Sequence, residues 1–176
     1  MSGSNSDDLA QESVDDLIRA LASGARNQGL GDRDRIRARL GEALFNPQLM
    51  RVPVWQRGTK YLGRTIQARD DSAFVHLARR VLIDRQWANG TTVDEYVSDL
   101  RYAASDPDAR IVIYDRGQGP IAGAFSPNRV PVNRVGTMSL PWLYVVYSAD
   151  RSSIVTGYQV SGLDVISVSG NPLWLA

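Results

Sequence analysis

Residues 142–160, WLYVVYSADRSSIVTGYQV, decide how the rest of the chain is read. Two runs rich in β-branched and aromatic residues, 142–147 and 154–160, flank a polar turn at 148–153, which is the pattern of a β-hairpin. Alternate side chains of a strand share a face, so Ile154, Thr156, Tyr158 and Val160 are expected on one side and Val155, Gly157 and Gln159 on the other. A hydroxyl and a phenol then stand two residues apart. Gly157 between them suits a place where a ligand or another backbone comes close. A third apolar run, 163–168, follows at once.

Upstream of this hairpin, RIVIY at 110–114 and PIAGAF at 120–125 flank the turn DRGQG and read as a second hairpin. The stretch 126–141 holds three prolines and no period, so it is read as a long loop carrying Arg129 and Arg134, either functional or a plain solvated connection. Before it come helices. Over 72–87, Phe74, Leu77, Ala78, Val81 and Leu82 form an apolar stripe, and His76, Arg79, Arg80 and Ile83 share the neighbouring face. A helix over 92–104 opens on Thr92 and Glu95 at capping-box spacing and turns Val93, Tyr96, Val97, Leu100 and Ala103 inward.

Two further helices are predicted nearer the N-terminus, over 13–24 with Val14, Leu17, Ile18 and Leu21, and over 32–45 with Ile36, Leu40, Ala43 and Leu44 inward. Residues 47–69 mix aromatics with proline and glycine and read as irregular or short extended structure, and residues 1–9 as disordered. The fold class is therefore α+β, with N-terminal helices packed on a four- to five-stranded antiparallel sheet. Its expected division is a helical, Arg-rich region over 1–69 and a helix-plus-sheet domain over 70–176.

Composition narrows the chemistry. The 176 residues are 43% hydrophobic and 22% charged, enough for one well-buried core. No apolar run approaches the roughly 20 residues that cross a bilayer, and the N-terminus is acidic and polar, so a cytoplasmic protein without signal peptide or membrane span is expected. With no cysteine and one histidine, a disulfide framework and a thiolate metal site are excluded and a zinc centre is disfavoured. Metal-free, cofactor-free chemistry is the expectation. Residues 26–69 carry ten basic against three acidic side chains, a net +7, interleaved with Trp55 and Tyr61, between flanking segments of −4 each. Such a block serves a polyanion or an acidic protein partner, or is simply a solvated face. All of the chain's basic residues but Lys60 are arginine, which reflects either coding bias or a demand for bidentate phosphate contacts. The neighbouring guanidiniums disfavour a proton on His76, so its imidazole is expected to be neutral near pH 7 and able to accept one. The alternative is a half-buried histidine beside two surface arginines.

A block of N-terminal helices, one bearing a histidine, followed by a meander whose penultimate strand reads VVYSADRSSIVTGY resembles the superfamily that groups barnase, EndoU, the C-terminal nucleases of colicins, and RelE. It is most similar to the phage and polymorphic-toxin branches, over about residues 70–170. The resemblance implies a metal-independent endoribonuclease toxin, held by an antitoxin or immunity protein, acting on RNA (transfer RNA among the candidates) and not on DNA or membranes. By this resemblance Thr156 and Tyr158 correspond to the strand hydroxyls at the scissile phosphate, His76 to the general base, and Arg79 or Arg80 to the phosphate clamp.

The residue types suit that chemistry. Cleaving RNA without a metal needs a base for the 2′-hydroxyl, a cationic clamp for the phosphoryl oxygens and an acid for the leaving 5′-oxygen. His76 is the candidate base. Arg80, with Arg116 or Arg134 arriving from loops, is the candidate clamp. Thr156 or Tyr158 would orient the phosphate, Tyr158 would assist the leaving group, and Tyr144, Tyr147 and Trp142 are candidates to stack on an unpaired base. Two other classes stay open: a non-catalytic protein-binding module of a phage or effector, and an ADP-ribosyltransferase-like toxin. Against the latter, Glu12, Glu42 and Glu95 are the only glutamates and none falls on a predicted strand.

Overall fold

The computed structural model describes residues 14–163 and 172–176. Helix α1 covers residues 14–23 and α2 is Asp32–Leu40. Short strands β1 (Leu49–Arg51) and β4 (Arg69–Asp71) pair around the smaller ribbon β2 (Lys60–Tyr61) and β3 (Arg64–Thr65). Then follow α3 (Ser72–Leu82), α4 (Val93–Ala104), β5 (Arg110–Asp115), β6 (Pro120–Pro127), β7 (Trp142–Ser148), β8 (Ser153–Val160) and β9 (Leu173–Leu175). Among the described residues the sheet has five strands, all antiparallel, in the order β8-β7-β6-β5-β9. The α+β architecture with helices on an antiparallel sheet is thus as expected. The predicted strand over 163–168 lies, apart from Leu163, outside the described residues, and Leu173–Leu175 completes the sheet.

Local chemistry fixes the helix starts. Asp71 accepts from the Ala73 N–H at 3.0 Å to cap α3. In α4 the Thr92 hydroxyl accepts from the Glu95 N–H and the Glu95 carboxylate from the Thr92 N–H, the reciprocal box that the spacing predicted. Two helix ends come earlier than expected. Helix α2 stops at Leu40, where Gly41 packs against Ser105, and the chain then runs along β8, with Ile154 N–H donating to Leu44 O and Asn46 N–H to Ile154 O. This turns Phe45 inward and leaves Leu44, expected in the core, 72% exposed. Helix α3 stops at Leu82, not near Trp87, because the chain reverses through Arg85 at φ +53°. Leu82 and Ile83 are left at the surface, while Trp87 returns to the core edge-on to Tyr96.

The decisive hairpin forms with one correction. Tyr147 pairs with Ile154 but Val146 pairs with Thr156, so Val155 is a bulged residue. The bulge flips Ile154 to the helix side with Gly157 and Gln159, and leaves Thr156, Tyr158 and Val160 facing the other way. On the helix side Ile111, Ile113, Ala122, Ala124, Leu143, Val145 and Tyr147 pack with Val14, Leu17, Ile18, Ile36 and Leu40, so α1 and α2 share the sheet's core across the expected boundary at residue 69. Arg-rich α2 contributes little else to the interior. The opposite sheet face carries Val112, Tyr114, Phe125, Tyr144, Val146 and Val160. Among the described residues no helix is long and apolar enough to cross a membrane.

Gly157 owes its identity to packing, since a Cβ there would overlap the Leu100 side chain of α4. Gly157→Ala is therefore expected to destabilise the chain by roughly 1–3 kcal/mol, read as a lower urea midpoint. Adding Leu100→Ala to it should cost less than the two single changes summed, because the second removes the overlap.

Candidate functional site

Among the described residues β8 is an edge strand, and an unpaired edge exposes a row of backbone donors and acceptors. Here side chains complete the ladder. The Gly157 carbonyl accepts from Arg80 Nε at 3.0 Å and from the Tyr96 hydroxyl at 2.5 Å. Beyond it, Gln86 uses its side-chain amide as a strand uses a peptide: Nε2 donates to Gln159 O at 2.9 Å and Oε1 accepts from Gln159 N–H at 2.7 Å. The result locks α3 and the turn after it against β8.

That lock aligns the polar groups of α3 with Thr156. Arg80, 6% exposed, also donates from Nη1 to Asp84 at 2.8 Å and from Nη2 to Thr156 Oγ1 at 3.1 Å, and lies 5.0 Å over the Tyr158 ring. His76, half-buried and 5.7 Å from the Phe45 ring, places Nδ1 3.2 Å from the same Thr156 oxygen. Burial first, then the charges of Arg80 and Arg79, push the imidazole down to about 4. The neutral imidazole expected from the helix spacing therefore has a second and larger cause, its burial.

Thr156 also borders a groove of about 260 Å³ on the sheet face away from the helices, walled by Tyr114, Arg116, Gln118, Val155 and Tyr158. The groove is open and mixed in polarity. The Tyr114 and Tyr144 hydroxyls share a hydrogen bond of 2.5 Å, and Tyr144 meets Tyr158 edge to face at 5.6 Å. Arg116 comes from the β5–β6 turn and lies 5.4 Å over the Tyr114 ring. Burial raises the Tyr158 phenol, with Arg80 and Arg116 acting in the opposite direction, so it keeps its proton at neutral pH.

His76, Arg80, Thr156 and Tyr158 are thus brought together, with Arg116 across the groove. Arg79 is one turn beyond His76 and lies over the Trp55 ring at 5.9 Å. Arg134 and Tyr147 are elsewhere. Arg134 donates to Asp99 at 3.0 and 2.5 Å and to Glu95 at 3.3 Å, fastening the 126–141 loop to α4. Tyr147 is fully buried on the helix side and donates to Asp15 of α1 at 2.6 Å, because its position opposite Ile154 puts it in the core. Tyr114 escaped the sequence reading, although the alternation of RIVIY pairs it with Val112 on the open face. Among the described residues no three histidine or carboxylate groups converge as a metal site would require.

The chain matches no protein-family model, no curated protein and no solved structure.

Two measurements follow from these contacts. Arg134→Ala should cost about 3 kcal/mol in a denaturant series, because it strips the ion-pair partner from the buried Asp99 carboxylate and leaves it only the Trp87 indole N–H. For His76, the unfolded chain titrates near 6.5 and the folded chain near 4, so the unfolded state binds the extra proton between those limits. Stability should fall by up to about 3 kcal/mol as pH drops through that window, and a His76→Gln variant should lack this segment of the pH dependence.

Proposed function

We propose that the chain is a metal-independent endoribonuclease of the toxin type, cleaving RNA at the Thr156 rim of the groove. The observation that carries the reading is the contact of one strand hydroxyl with both a neutral imidazole and a buried guanidinium, at 3.2 and 3.1 Å, beside an open groove. The resemblance of the β7–β8 segment to barnase-, EndoU-, colicin- and RelE-type ribonucleases supports it.

We assign the His76 proton to Nδ1, from which it is donated to Thr156 Oγ1. Thr156 then accepts from both His76 and Arg80, and its own proton is left for a phosphoryl oxygen. Nε2 is the lone pair that takes the proton of the 2′-hydroxyl. The O2′–P bond forms, the P–O5′ bond breaks, and O5′ receives a proton from Tyr158, giving a 2′,3′-cyclic phosphate and a 5′-hydroxyl end. The proton on His76 returns to the phenolate through solvent. Arg80 is already engaged by Asp84, Gly157 and Thr156, so its work is to hold Thr156 and to keep the imidazole neutral. Arg116, exposed on the opposite wall, meets the charge that develops on phosphorus.

The runner-up, a protein-binding module, draws on the exposed Leu82 and Ile83 beside the arginines of α3. The ADP-ribosyltransferase reading has no strand-borne glutamate among the described residues, where Glu95 is spent in a helix cap.

Incubated with total and transfer RNA in EDTA, the parent should yield discrete fragments ending in cyclic phosphate. His76→Ala and Tyr158→Phe should each lower the rate at least about 100-fold. Intact RNA with the parent across salt and pH would overturn the reading in favour of protein binding. In the active parent the acidic limb of kcat/KM should lie near pH 4. The limb of kcat should lie higher, because a bound phosphodiester favours the imidazolium.

A further inference from the structure

We propose that Trp55 and Arg79, together with Arg51 and Arg69, form a subsite for an unpaired nucleotide next to the cleavage point. This inference rests on the ribonuclease reading and adds that the substrate is single-stranded there. Trp55 is 57% exposed, whereas Trp87 is buried and Trp142 and Trp174 are partly so. It projects from a one-turn 3-10 helix, Val54–Gln56, whose last residue Gln56 and flanking Val52 are buried and whose chain is tied back by Arg57 Nε donating to Val52 O at 2.9 Å. The indole is therefore presented outward from an anchored turn, which lowers the entropy lost when a base stacks on it.

Arg79 lies over this ring at 5.9 Å and sits one helical turn after His76. Residues at i and i+3 of a helix are neighbours on its surface, roughly 5–6 Å apart at Cβ, so the stacking platform is within a neighbouring nucleotide's reach of the proposed base. Beside the turn, β1 and β4 set Arg51 directly opposite Arg69. Like charges facing each other across an antiparallel pair are destabilising, and neither has an ion pair among the described residues. A phosphate between the two guanidiniums removes that repulsion and accepts hydrogen bonds from both. An aromatic with an arginine over it, and two arginines facing each other on the paired strands that flank its turn, match the base and the backbone of one nucleotide. Paired bases are stacked inside a duplex and cannot use the indole.

The test uses a short 2′-O-methyl oligoribonucleotide, which lacks the attacking hydroxyl and is not cut, single-stranded or annealed to its complement. The parent should bind the single strand more tightly than the duplex, with quenching of tryptophan emission. Trp55→Ala, checked for an unchanged urea midpoint, should bind roughly 5- to 100-fold more weakly and lose the quenching, while Trp55→Phe keeps most of the affinity. Arg51→Ala and Arg69→Ala should each lower the slope of log affinity against log salt by about 0.7. Equal binding by parent and Trp55→Ala, preference for duplex, or no binding would overturn the subsite. So would Trp55-dependent binding of polyglutamate but not of the oligonucleotide, which would mark a protein-docking surface. If the parent cleaves RNA and Trp55→Ala leaves affinity and KM unchanged, the subsite fails alone. If Trp55-dependent single-strand binding is found with no cleavage of unmodified RNA, the subsite stands and the ribonuclease reading fails.

Discussion

Among the described residues no sixth strand lies beside the outer edge of β8, and its backbone groups are satisfied by Arg80, Tyr96, Gln86 and the segment at residues 44–46. A buried carbonyl without a partner costs about 1–3 kcal/mol, so these side chains do more than decorate the sheet. They set the position of α3 along the strand. Because Arg80 bonds the Gly157 carbonyl and the Thr156 hydroxyl at once, the helix cannot slide without breaking both. His76, one turn earlier, is held against Thr156 by the same constraint. The β-bulge at Val155 supplies the other half, since it alone turns Thr156 and Tyr158 to the open face while Ile154 enters the core.

Burying a guanidinium beside an imidazole has an electrostatic consequence. Arg80, 6% exposed, is compensated by Asp84, two strand oxygens and the Tyr158 ring. The imidazole next to it is the group that yields, remaining neutral well below its ordinary range. A neutral base in a cationic setting is poised for an anionic ligand: it has a free lone pair before the ligand arrives, and the ligand's charge then favours the proton it takes up. The open groove with Arg116 on its far wall extends this setting outward from the edge of the sheet.

Much of this arrangement is legible in the chain. The capping box at Thr92, the stripe of α3 and the β-rich runs around SADRSS give the helices, the hairpin and the α+β class. The helical spacing of His76 and Arg80, with the alternation of Thr156 and Tyr158, names four residues that do meet. What the sequence withholds depends on partners far along the chain. The bulge exists only against β7, so a simple alternation misplaces Ile154. Tyr147 and Arg134 have the chemistry of site residues, but Asp15, 132 positions away, and Asp99 claim them. Leu44 fits the helical period, yet its carbonyl is claimed by Ile154 of β8, 110 positions away, and α2 ends before the period reaches it. Local pattern names the candidates, and burial decides among them.

A 15N NMR titration of the single imidazole, with and without a 2′-O-methyl oligoribonucleotide, reads the His76 environment directly. If His76 is held as described, the ring is neutral with its proton at Nδ1 and Nε2 bare at pH 7, titrates near 4 in the free protein, and shifts clearly upward when the oligonucleotide is bound. A pKa near 6.5 that the oligonucleotide leaves unmoved would contradict that placement, because His76 would then be neither buried against Arg80 and Thr156 nor adjacent to the bound phosphate.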